Sequence, residues 1–201
     1  GPAILRRLGM TQFHSGRREQ ALETMQALIE SSGGARTTDS ALLLGLLYYS
    51  ENRFAEAGGI AERLVKADPK NFTARNLLGL VAIARGDAQT GRQIIESVLH
   101  EQPNFRPARY NLIKLDIAEG RYTAADAALQ ALLAKNPNDI RALLESARFA
   151  QAKGDQRSAI EHLEKLREIE PKNILANVEL INAYLVSSQI PQALTRAIEL
   201  D

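Results

Sequence analysis

The chain has 201 residues, 45% hydrophobic and 5% aromatic, with no Trp and no Cys. Lys plus Arg number 25 and Asp plus Glu 24, a formal net charge of +1, which argues against nonspecific attraction to nucleic acid. The lack of Cys excludes disulfides, thiolate metal sites and a cysteine nucleophile, and no run approaches the roughly 18 apolar residues of a membrane-crossing helix.

Apolar residues recur with helical period, as in Ala41, Leu44, Leu47 and Tyr48, and no stretch alternates as a strand would. In chain order, Gly1-Pro2 reads as a scar left by removal of a tag. A first helix pair follows, marked by Leu8-Gly9, Gly16 and Ala21, and ends in "SSGGARTTD" without a proline. That joint is expected to be the loosest. The next pair carries Leu44-Gly45, a turn at Ser50-Glu51-Asn52-Arg53 and a small residue at Ala57. It closes in "VKADPKNFTARNLLGL", and the joint returns as "HEQPNFRPARYNLIKL", "AKNPNDIRALLESARF" and "EIEPKNILANVELINA". The prolines are Pro69, Pro103, Pro137 and Pro171, set at equal steps. Midway turns recur at Gly86, Gly120 and Gly154, and small residues at Gly91, Ala125, Ala159 and Ala193. Small side chains there let two helices approach closely. Leu78-Gly79 repeats Leu44-Gly45, and since Gly inside a helix costs about 1 kcal/mol relative to Ala, close packing must compensate. Ile113, Ala147 and Ile181 hold that column later. The second glycine of Ala57-Gly58-Gly59 has no reason in the sequence. The chain stops at "RAIELD", inside a second helix, and reads as a piece cut from a longer array.

These columns resemble the tetratricopeptide repeat family, whose helix–turn–helix unit has a period of about 34 residues. The resemblance covers nearly the whole chain. It implies an all-α fold, a right-handed α-solenoid or superhelix of tandem units spanning 3–37, 38–71, 72–105, 106–139, 140–173 and an incomplete 174–201. Stacked units grow by adding neighbours around no single central core.

No chemistry stands out. His14, His100 and His162 lie in different units and columns, without the short spacing of a zinc site. Glu161, Glu164, Glu168 and Glu170 are interleaved with Lys165 and Arg167 as solvated ion pairs. The tripeptide within "ARGD", Ala84–Asp87, occupies the ordinary helix–helix turn. There is neither a phosphate-cradling glycine loop with its lysine nor a nucleophile with a base. No catalytic, metal or cofactor role is expected.

What remains is a surface. In the family the first helix of each unit lines a concave groove. The resemblance places there Leu42, Leu46 and Tyr49, then Asn76, Leu80 and Ile83, then Tyr110, Lys114 and Ile117, then Arg141, Leu144, Arg148 and Gln151. Such a groove is apolar early and basic later. It suits an extended or helical protein segment, with Lys114, Arg141 and Arg148 receiving acidic side chains; the bland alternative is that Leu46, Leu80 and Ile83 only pack against neighbouring first helices. The cationic clamp by which some members hold carboxylate-terminated chaperone tails is excluded, because its positions are Leu42, Leu46, Leu77, Pro107 and Asn111.

The run "PNFRPARYNLIKLDIAEGRYTAADAALQALLAKNPNDIRALLESARFAQAKGD" also resembles tetratricopeptide lipoproteins of bacterial exopolysaccharide and PEP-CTERM sorting systems. That resemblance implies a scaffold in the periplasm or anchored at the outer membrane, a cytoplasmic place being the alternative. A second function reading is a polysaccharide-binding module, with Tyr49 and Tyr110 stacking on sugars and Arg141 and Arg148 contacting acidic groups. At the far end Leu180, Tyr184, Leu194 and Ile198 are expected to lack a neighbour and to pair two copies.

Overall fold

In the computed structural model the described residues, 2–31 and 37–199, form twelve α-helices and no strand. They are α1 (Pro2–His14), α2 (Arg18–Ser31), α3 (Thr37–Ser50), α4 (Phe54–Ala67), α5 (Phe72–Ala84), α6 (Ala88–Glu101), α7 (Arg106–Ala118), α8 (Tyr122–Lys135), α9 (Ile140–Ala152), α10 (Gln156–Ile169), α11 (Ile174–Val186) and α12 (Ile190–Glu199). The chain divides into two compact bodies, Gly1–Ala108 and Arg109–Asp201. Within each body successive helices pack as hairpins, and each hairpin packs on the next. The fold is an all-α solenoid. The joint singled out after the first repeat, at 32–36, lies outside the described residues, as do Gly1 and the last two residues.

Local chemistry explains the punctuation. Asn71, Asp139 and Asn173, each two residues past a repeat proline, accept the N–H of Ala74, Ala142 and Ala176 at 3.0, 3.2 and 3.0 Å. Asp87 and Asp155 do the same for Thr90 and Ser158 at the midway turns. Such caps satisfy donors that a helix start leaves free and contribute about 1 kcal/mol each. At the midway turn one residue takes the left-handed backbone: Asn52, Gly86, Gly120, Gly154 and Ser188, with φ of 59°, 91°, 71°, 76° and 58°. There Gly86 N–H meets Ile83 O at 3.0 Å and Asp87 N–H meets Ala82 O at 2.9 Å, closing α5.

In the first body, Leu22, Met25 and Leu28 of α2, Leu44, Leu47 and Tyr48 of α3, Ile60 of α4, and Leu77 and Val81 of α5 form a continuous core. In the second, one cluster joins Tyr110 and Ile113 to Ala125, Leu129 and Phe149. Another joins Ala147 and Leu163 to Leu180, Ala183 and Tyr184. The small residues five positions after the midway turn are shut from solvent, including Ala57, Ala125 and Ala159.

Two expectations change here. Leu180 and Tyr184 are buried, turned back against α9 and α10, and only Leu194 and Ile198 of the four are open. The paired glycines of α4 now separate. A Cβ on Gly58 would touch Val81 at 3.3 Å, whereas one on Gly59 would meet nothing within 4 Å. Gly58 admits α5, and Gly59 faces open space.

Candidate functional site

The first helices of the C-terminal body carry a ladder of charges. Lys114 Nζ on α7 lies 3.1 Å from Glu145 Oε1 on α9. Arg148, one turn further along α9, reaches the same Glu145 oxygen at 3.5 Å. Its Nη2 and Nε donate to Glu179 Oε1 on α11 at 2.6 and 3.1 Å. Cation and carboxylate thus alternate across three neighbouring first helices. Lys114 and Arg148 stand one repeat apart, and so do Glu145 and Glu179, so one repeated geometry makes both inter-helix pairs. This corrects the expected role of Lys114 and Arg148, whose charges are matched within the chain and are not held open for an acidic partner. The carboxylates were missed; their recurrence at the repeat period beside the basic column was the available signal.

The tyrosines change most. Tyr110 is 1% exposed, locked in its cluster, with the Arg141 guanidinium 4.3 Å from its ring centroid. A ring so covered cannot stack on a sugar. Arg141 is itself exposed but serves as the lid of Tyr110. Tyr49 is half-buried and leans on Phe54 at 5.5 Å between ring centroids, and its burial pushes its hydroxyl pKa up.

Other positions sort by what covers them. Asn76 is buried. Ile83 turns toward its own second helix, where a Cβ on Gly91 would strike its Cγ1. Leu42 packs on the N-terminal core, and Ile117 and Leu144 pack on clusters of the C-terminal body. Leu80 and Gln151 are half-buried and Leu46 is exposed. Ile83 is thus covered by its own second helix and not by a neighbouring first helix.

Among the first helices of the C-terminal body, open apolar surface lies on α11, including Leu175, Leu185 and Val186, exposed by 50, 47 and 68%. Leu175 and Leu185 stand one repeat beyond Arg141 and Gln151, so extending those columns finds them. Leu175 and Val186 stand beside the ladder, since residues three, four and seven apart share a helix face and Glu179 lies four residues after Leu175 and seven before Val186. The resulting strip is apolar at its edge and charge-balanced along its middle. Among the described residues no group of three or more His, Asp or Glu side chains could hold a metal, and no helix is long and apolar enough to cross a membrane.

A second polar link ties α11 to α10. Tyr184 Oη donates to Glu164 Oε1, and Arg167 Nε donates to Glu164 Oε2 at 2.7 Å. Burial acts to raise the Glu164 pKa, but the bonds from Tyr184 and Arg167 outweigh it and hold the carboxyl below its usual range. Burial, reinforced by the Glu164 carboxylate, pushes Tyr184 from its ordinary 10.0 up to about 12. A raised phenol stabilises the fold fully below its unfolded pKa and loses that contribution as pH climbs from 10 toward 12. A lowered carboxyl acts above its unfolded pKa and fails as pH drops through the folded one. Tyr184→Phe is therefore expected to flatten the alkaline fall of the thermal midpoint and to soften its acid fall, relative to the parent. Equal slopes in both proteins would show that the bond does not couple to folding.

Comparison with known proteins agrees with this geometry. Family models described as tetratricopeptide repeat match residues 6–71, 42–104 and 82–148. The chain belongs to the tetratricopeptide repeat family. A related sequence is cellulose synthase 1 operon protein C of Komagataeibacter xylinus, 26% identical over 176 residues. That alignment covers 81% of this tetratricopeptide chain but only 13% of the relative's length. Among solved structures, a thermophilic tetratricopeptide protein of Thermus thermophilus superposes with a TM-score of 0.80 at 17% identity, covering 92% of this chain and all of the other. A tetratricopeptide repeat protein from Parabacteroides merdae gives 0.66 at 16% identity, covering 99% and 78%. At those identities the likeness speaks for the fold.

Proposed function

We propose that this tetratricopeptide array is a non-catalytic scaffold whose C-terminal body holds an apolar segment of a partner protein along its first helices. The observation that carries the reading is the exposed row Leu175, Leu185 and Val186 beside an internally neutralised ladder. Contiguous exposed apolar side chains mark interaction surfaces. A row along one helix suits the apolar face of a partner helix or an extended strand of it. With Lys114 and Arg148 already paired, the segment is apolar rather than acidic. The relative named for a cellulose synthase operon supports a role in a bacterial exopolysaccharide assembly; a place at the periplasm or the outer membrane rests on the lipoprotein resemblance alone. The resemblance to PEP-CTERM systems points the same way. Direct sugar binding is the weaker reading, because Tyr110 is enclosed and Tyr49 leans on Phe54.

The test is affinity capture from the envelope fraction of the source cells with the chain and with a Leu175→Asp, Leu185→Asp variant. A protein retained by the parent and lost by the variant is the expected result. Capture unaffected by the variant would place the binding face elsewhere. Titration with neutral and acidic oligosaccharides is expected to give no saturable signal, and saturation would reverse the ranking of the two readings.

A further inference from the structure

Among the described glycines inside helices, one is not used in packing. A Cβ on Gly9, Gly45, Gly58, Gly79 or Gly91 would fall 2.4 to 3.3 Å from a side chain of another helix, so each of these marks a place where two helices cross. A Cβ on Gly59 would meet nothing within 4 Å. Gly59 is exposed and weakens α4 relative to alanine.

Over Gly59 lies a groove of about 570 Å³, walled by α2 and α4 and floored by Leu44 and Tyr48 of α3. With α1 packed on α2 and α5 on α4, both neighbouring repeats are in place, so the opening does not come from an uncovered end of the stack. The repeat register shows what makes it. When the left-handed residues of the midway turns are aligned, Gly59 stands in the column of Glu23, Gln93, Ala127, Glu161 and Thr195, and Ala41 in that of Arg75. One repeat on, Arg75 fills the matching space, with Nη2 2.9 Å from Ser97 Oγ and Nη1 2.7 Å from Glu101 Oε1. Ala41 leaves that space open. The C-terminal body offers a second comparison. Gln26 donates to Tyr48 Oη in the columns where Tyr184 donates to Glu164. There Arg167 and Arg196 lie 2.7 and 3.8 Å from Glu164; in the groove those two columns hold Ile29 and Ile60. Charged side chains have given way to apolar walls around a neutral link.

We infer that this groove is a second binding site, which takes an amphipathic helix of a partner protein crossing α4 at Gly59. A missing Cβ permits close backbone approach, and at the other interior glycines of this chain the approach is made by a helix. The apolar walls receive that helix's apolar face. The rim sets its charges. Glu30 on α2 and Arg63 on α4 line the groove, and neither is in an ion pair among the described residues, so the helix carries a cation toward Glu30 and a carboxylate toward Arg63. The site belongs to the N-terminal body and does not depend on the row on α11.

Peptides stapled as helices test this, drawn from a library with one small residue fixed mid-helix and its flanks varied, and selected on the full chain. Selected peptides are expected to place apolar residues three and four positions from the small one, to carry an acidic residue on one flank, and to bind the Leu175→Asp, Leu185→Asp variant as they bind the parent. Gly59→Leu adds a good helix former and fills the groove, so it should raise the thermal midpoint yet weaken binding about tenfold or more. Arg63→Glu should also weaken binding, and exchanging the peptide's acidic residue for lysine should restore it. Parental affinity for Gly59→Leu overturns the inference, since the helix would then sit elsewhere. So does a library that yields no binder, and so does a chain that dimerises through Gly59 in sedimentation velocity, which would make the occupant a second copy.

Discussion

Gly91→Ala will destabilise the N-terminal body even though alanine is the better helix former. A Cβ at Gly91 would fall 2.4 Å from Ile83 Cγ1 and 2.6 Å from the carbonyl oxygen of Gly79. Ile83 can change rotamer, but the Gly79 oxygen belongs to the backbone of α5 and moves only if the two helices separate. Overpacking of this kind costs about 1 to 3 kcal/mol, against a propensity gain of about 1 kcal/mol. The net loss, up to about 2 kcal/mol, lowers the thermal midpoint by as much as about 4 to 8 °C. Gly59→Ala is the matched control on α4. Its Cβ would enter open space, so only the propensity term acts, and stability should rise by about 0.5 to 1 kcal/mol. Should both substitutions move the midpoint the same way, the close approach of α5 and α6 at Gly79 and Gly91 would be wrong.

Arg148→Ala has the next largest expected effect. It leaves Glu145, a nearly buried carboxylate, with Lys114 alone, and strips Glu179 Oε1 of its two hydrogen bonds from Arg148. Hydrogen bonds to charged groups are worth about 1.5 to 3 kcal/mol, and Arg148 keeps about a third of its side chain in water. A loss of about 2 kcal/mol in urea unfolding is therefore expected, at unchanged slope. Glu179→Ala in the same chain should recover part of it, since removing both partners leaves no unpaired charge. Arg157→Ala provides the contrast. Its pair with Glu161 is open on both sides, with 90 and 63% of the side chains exposed, and such pairs contribute about 0 to 1 kcal/mol. If Arg148→Ala cost no more than Arg157→Ala, the ladder would be a solvated surface feature and the strip beside it would present open cations.

The Arg148 substitution also bears on function. Arg148 ties α9 to α11, and α11 carries Leu175 and Leu185. Loosening the ladder should weaken partner capture without touching an apolar contact, whereas Leu175→Asp should weaken it without loosening the ladder. Gly91→Ala, in the other body, should leave capture unchanged.

Most of the architecture was legible in the residues themselves. The equal repeat step, the prolines and the turn glycines act over three or four neighbours, so each announces itself wherever it falls. Gly79 opposite Gly91 was readable for the same reason, since a glycine inside a helix must be repaid by something close. The groove was only partly legible. Residues of one column share a helix face but not a surrounding: Leu144 is packed beneath α11 while Val178, one repeat later, is open.

The sequence by itself thus determined that this chain is a stack of helix hairpins and where each hairpin turns, because those are matters of local backbone preference. Only the tertiary structure decided which side chains meet a partner. Tyr110 vanished under Arg141, nearly a full repeat away, and Lys114 and Arg148 were neutralised by carboxylates at the same remove. Exposure depends on what the next repeat lays over a position, and that is a property of pairs of distant residues.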